Sequence, residues 1–162
     1  MADIYRIKSI SEVHQMFGLD KPKHPLITII RKWPQINFDF ENIKLTSELY
    51  LLSMKGKMKG NTFHYGKNSY DFEDGTLVFI SPNQVASFAD PIEELDDSGW
   101  TILFHPDLIR KSELGKTIKN YSFFTYETNE SLHLSDKEKQ SLFELVKKIE
   151  VELNQNIDKH SQ

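Results

Sequence analysis

The sequence predicts a mainly β domain with added helices: an antiparallel barrel or jelly roll over about residues 20–105, then a helical part over about 106–158. Three observations carry this reading. Between Tyr70 and Leu108, short strand-like runs alternate with sharp polar turns, the spacing expected of barrels and jelly rolls. Phe and Tyr are abundant, at 11 and 6 copies, and such rings suit a pleated, half-buried surface. Beyond His105-Pro106 the apolar period changes from two to that of a helix, most clearly at Leu142, Val146, Ile149 and Leu153.

Taken in order, Ser9 and Glu12 make a capping box ahead of SEVHQMF, with Gly18 as the stop, so a short helix is expected near the start. Pro22 and Pro25 end it. LITII (26–30) reads as a strand that Trp33-Pro34 interrupts, and SELYLLSM (47–54) as the next. Gly56 and Gly60 bracket a lysine-rich loop, NTFHY (61–65) returns, and Gly66-Lys67-Asn68 turns into SYDF. Asp74-Gly75 leads to TLVFIS, Pro82-Asn83 to QVASF, and Gly99 opens WTILF (100–104). DLIRKSELGKTIKNY suits one or two short helices broken near Gly115, and YSFFTY a strand or buried connector. Ser135 with Glu138 forms the strongest capping box, so a helix is expected from about Asp136 to Asn154. Its apolar stripe suits packing on the strands or on a second subunit. Asp158 to Gln162 reads either as a polar terminus or as the start of a further helix.

At 162 residues the chain is long enough for one domain with a substantial core. It has no cysteine, which removes disulfides and thiolate metal sites and agrees with an expected cytoplasmic location. The N-terminus resembles neither a secretory signal nor an anchor, and no apolar run is long enough to span a membrane. Net charge is −4, with basic residues dispersed; the basic face that nucleic acid demands is missing.

Chemistry is sparse. The chain has no phosphate-binding glycine loop, no G-x-S-x-G elbow and no H-E-x-x-H. Its six histidines never fall within four residues of one another, so the H-x-H pair a metal-binding barrel would offer is absent and no metal, cofactor or catalytic residue is expected. His64 stands alone in NTFHY and reads either as a lumen-facing hydrogen-bond partner for a ligand or, if Phe63 is the buried neighbour, as an outward-facing residue by alternation. Glu93, Glu94, Asp96 and Asp97 lack calcium-loop spacing and read as a solvated turn. Trp100 is a better candidate: it offers a flat apolar surface with one N–H, suited to a sugar or aromatic ligand, although core packing is the default for such a residue. Trp100, Ile102 and Phe104 should share one strand face, and Phe79 carries the same ambiguity as Trp100.

The segments FEDGTLVFISPNQ, GWTILFHPDLI, SFFTYETNESLHLSDKE and SISEVHQMFGLDKPKHPLITII together resemble the N-terminal regulatory domain of AraC-type transcription regulators, in the bacterial group whose sensor domain opens with HPLIT-type strands. The likeness covers nearly the whole chain. It implies a cupin-like barrel followed by helices, serving as a non-catalytic small-molecule sensor and homodimerisation module. It also implies that DNA is read by a separate C-terminal helix-turn-helix domain not present here, so the chain is expected to be a truncated regulator. Ligand contacts vary within the family and none transfers by motif; Arg31, Tyr50, Phe79, Trp100 and Phe104 are ligand candidates by side-chain type and expected strand position. Two alternatives stay open: a metal-dependent cupin enzyme, isomerase or dioxygenase, and a free-standing carbohydrate-binding jelly roll. Gly75 and Pro82 match the spacing of the second cupin motif, but no metal-ligand histidine follows, which argues against the enzyme.

Overall fold

The computed structural model describes residues 3–31, 43–55, 58–59, 62–65, 68–71, 76–88, 93–94, 99–121 and 132–155. In chain order these form β1 (Asp3–Ile7), α1 (Ile10–Met16), β2 (Ile27–Ile30), β3 (Ile43–Ser47), β4 (Tyr50–Lys55), β5 (Met58–Lys59), β6 (Thr62–Tyr65) and β7 (Asn68–Asp71). They continue with β8 (Thr76–Ile80), β9 (Val85–Phe88), β10 (Glu93–Glu94), β11 (Trp100–Phe104), α2 (Glu113–Thr117), β12 (Leu132–His133) and α3 (Asp136–Gln155); 3-10 turns flank α2 at Pro106–Leu108 and Ile118–Asn120.

The fold mixes sheets with helices. One five-stranded sheet runs β1-β3-β9-β6-β7, and a second runs β12-β8-β4-β11-β2. Every pairing in both is antiparallel except β1 with β3. No ladder joins the two sheets among the described residues, so no closed barrel is found there. Two tight links carry the chain between them, and these corners are tied together. Ser47 Oγ accepts from the Leu49 amide at 3.2 Å, which ends β3 and makes Tyr50, rather than Ser47, the first residue of β4. At the other corner Asn83 lies at φ 71°, a left-handed conformation that Asn tolerates. Its amide donates to Ser47 O at 2.7 Å, and its side-chain oxygen accepts from Arg6 Nη2 at 2.7 Å.

Both expected caps form. Ser9 Oγ accepts from the Glu12 amide at 3.2 Å, while the Glu12 carboxylate accepts from the Lys8 amide at 2.7 Å; Gly18 takes φ 68° past the end of α1. At α3, Ser135 Oγ accepts from the Glu138 amide at 3.2 Å, and Glu138 Oε1 accepts from the Ser135 amide at 3.3 Å. Ser135→Ala should therefore cost about 1 kcal/mol, read as a lower unfolding midpoint in urea with an unchanged slope. The stripe on α3 packs on the second sheet: Val146 is buried, and Leu142 and Phe143 lie against Met54, Leu77 and Trp100.

Four features depart from the sequence reading. Strand β1 precedes the expected start of the β region, and β12 returns to the sheet from within the expected helical part. Glu93 and Glu94 form β10, paired with Lys59 and Met58 of β5, where a solvated turn and a lysine loop were expected. Gly115 lies inside α2 instead of breaking it. There a Cβ would meet the Ile109 carbonyl group, whose carbon lies 2.8 Å from the Cβ position, so glycine permits the close approach of two backbone segments. YSFFTY beyond Tyr121, the Asp74-Gly75 turn and residues 158–162 lie outside the described residues.

Candidate functional site

The second sheet brings the five ligand candidates onto one face. Antiparallel register sets Phe104 against both Ile27 and Tyr50, Ile102 against Ile29 and Leu52, and Leu52 in turn against Phe79. Trp100 pairs with Met54, which pairs with Leu77. Because Ile30 faces Thr101, Arg31 follows one step beyond, beside Trp100 and on the same side as Ile27 and Ile29.

This face carries the helical layer. Tyr50 and Phe104 stack with centroids 5.1 Å apart and planes at 20°, and Ile118 from the second 3-10 turn joins them in one core cluster. Trp100 is only 3% exposed and packs in the Val146 cluster. Phe79 is half-buried and touches both groups. Arg31 donates from Nη1 to Glu150 Oε1 at 2.9 Å, and its Cζ stands 4.6 Å from the centroid of the Phe143 ring. Sequence reasoning thus places the sheet residues, but it does not find Phe143 and Glu150, whose relation to Arg31 exists only once α3 is docked.

The opposite face of the sheet is also buried and holds a polar set that sequence reasoning passed over. Ser53 and Thr101 hydroxyls lie 2.8 Å apart, and Thr28 Oγ1 lies 2.8 Å from His14 Nε2. Their signal was the alternation itself, hydroxyl residues standing between apolar ones in ITII, LLSM and WTIL. Ile30 and Leu103, on that side, pack with Ile10 and Val13 of α1. Strand β11 is accordingly buried on both faces, so displacement of a ring on one side is felt on the other.

A scan against protein-family models finds no match to this chain. A search of the curated proteins finds none either.

The backbone of His64 pairs with Ser69 and with Ser87 in the first sheet. Among the described residues no three His, Asp or Glu side chains gather as a metal site requires, and no helix is long and apolar enough to cross a membrane. Desolvation raises the Tyr50 phenol above its ordinary value near 10, because burial disfavours the phenolate. The folded state then holds the proton more tightly than the unfolded chain. Its contribution is complete below about pH 10 and is lost as pH climbs through the raised folded value. Unfolding measured across the alkaline range should show stability falling above about pH 10, and Tyr50→Phe should remove part of that fall.

Proposed function

We propose that this chain is the ligand-sensing and dimerisation domain of an AraC-type transcription regulator, built on a cupin-like pair of sheets and free of catalysis. The supporting observation is the convergence of Arg31, Tyr50, Phe79, Trp100 and Phe104 on the sheet face beneath the C-terminal helices. A metabolite held at that face shares its contact surface with α3. Binding and helix position are then one equilibrium, shifted by no more than the ligand's difference in affinity for the two arrangements. The helical layer passes the shift to a paired subunit and to a separate DNA-binding segment, since the net charge of −4 gives this chain no basic face of its own.

A thermal-shift screen of sugars, fatty acids and aromatic metabolites tests the reading. An effector at about 100 times its Kd should stabilise by roughly 2.7 kcal/mol. Metal analysis provides the opposing result: stoichiometric iron, manganese or zinc in the purified protein would replace the sensor with a metal-dependent enzyme.

A further inference from the structure

Among the described residues, two buried N–H groups beneath α3, Trp100 Nε1 and Arg31 Nε, have no hydrogen-bond partner. A buried donor left unpaired costs on the order of 1–3 kcal/mol, so native proteins rarely leave one without cause, and two neighbours left so point to a missing acceptor. The two are neighbours by register, since Ile30 pairs with Thr101 and each donor lies one residue beyond that pair. They also border the same apolar patch. Arg31 stands over the Phe143 ring, and Phe143 packs on the cluster of Met54, Leu77, Trp100 and Val146.

Charge selects the kind of acceptor. Arg31 and Lys147 both stand over the Phe143 ring, at 4.6 and 4.9 Å from its centroid. Glu150 balances Arg31 through Nη1, leaving the Lys147 charge to favour an incoming anion. Arg31 Nε–H is a charge-assisted donor, stronger toward a carboxylate than toward a neutral oxygen. The surroundings select the rest of the ligand, for beyond the two donors the sheet face is aromatic and aliphatic.

We propose that Arg31 and Trp100 form the polar end of a site for a small carboxylic acid with a flat apolar body. One carboxylate oxygen accepts from Arg31 Nε–H and the other from Trp100 Nε1–H. The apolar body enters between the sheet and α3, displacing Leu142 and Phe143 from the Met54–Leu77–Trp100 patch. This rests on the sensor reading and narrows its effector to a chemical class. It also gives the switch a physical form, because α3 must lift for the acid to enter.

Sodium benzoate and sodium 2-naphthoate serve as probes, with benzyl alcohol as the neutral counterpart, in calorimetric titration and thermal shift of the intact chain. The acids should bind and raise Tm, and the alcohol should do neither. Trp100→Phe keeps a ring in the patch and removes the N–H; it should weaken benzoate binding about tenfold, the loss of about one charged hydrogen bond. Arg31→Gln should weaken it at least as much. Circular dichroism confirms that each variant is folded, and Trp100→Phe alone decides the matter if Arg31→Gln is not. Equal binding of benzyl alcohol, or benzoate binding indifferent to Trp100→Phe, would overturn the site. So would no response to either acid, which would assign the two donors to a structural water. A neutral sugar that stabilises wild type and both variants alike would sink the carboxylate site while leaving the sensor reading intact.

Discussion

Trp100→Ala should lower stability by about 3–5 kcal/mol, the largest loss expected of any truncation in the helix-covered core. The indole is 3% exposed, and it packs in one cluster with Val146 of α3, Met54 of the adjacent β4 and Leu77 of β8 beyond it. Its removal leaves a cavity bounded by three separate elements, which can close over it only if α3 shifts as a body. A domain of this length has a total stability of about 5–15 kcal/mol, so the loss is a large fraction of the whole. At about 2–4 °C per kcal/mol, Tm should fall by on the order of 10 °C. Differential scanning calorimetry measures this. A fall of only a degree or two would mean that Trp100 supports little, and α3 would then be held by contacts elsewhere.

Gly115→Ala should destabilise by about 1–3 kcal/mol, against the usual expectation that alanine improves a helix interior. The added methyl would lie against the Ile109 carbonyl, a backbone group that cannot rotate out of the way as a long side chain would. The neighbouring Ser112 fixes this geometry: its Oγ donates to Ile109 O at 2.7 Å and accepts from the Gly115 amide at 3.2 Å. Relief requires α2 to move away from the preceding turn, carrying Ile118 from the Tyr50–Phe104 stack. Urea unfolding followed by tryptophan fluorescence and far-UV circular dichroism should show the loss. A stabilised Gly115→Ala protein would mean that α2 and the turn do not approach this closely.

What the sequence revealed and what it hid follow from the range of the interactions. Helix α3 was legible from end to end because its cap and stripe are local: Ser135 and Glu138 are three residues apart, and the apolar positions recur every three or four. The shared face of Trp100, Ile102 and Phe104 was legible for the same reason, since alternation is a property of one strand. That Arg31, Tyr50 and Phe79 join them depends on registers between distant segments, which no local pattern specifies. The two-residue strands β5, β10 and β12 are too short to show a period. Gly115 was misread because a glycine demanded by a neighbouring carbonyl looks, in sequence, like one that ends a helix.

The order of strands in the second sheet also bears on how the chain reaches its final form. Ile30 lies opposite Thr101, Met54 opposite Trp100 and Leu77, and Leu77 opposite Leu132, so none of these ladders closes through a short hairpin. Loop-closure entropy must be met before any of these pairings is rewarded, which places such sheets among slow folders, in the millisecond-to-second range. During synthesis β2 emerges long before β11, and its ITII run waits for that partner until the segments between them have left the ribosome. Strand edges left unpaired over such an interval are the species that aggregate during folding.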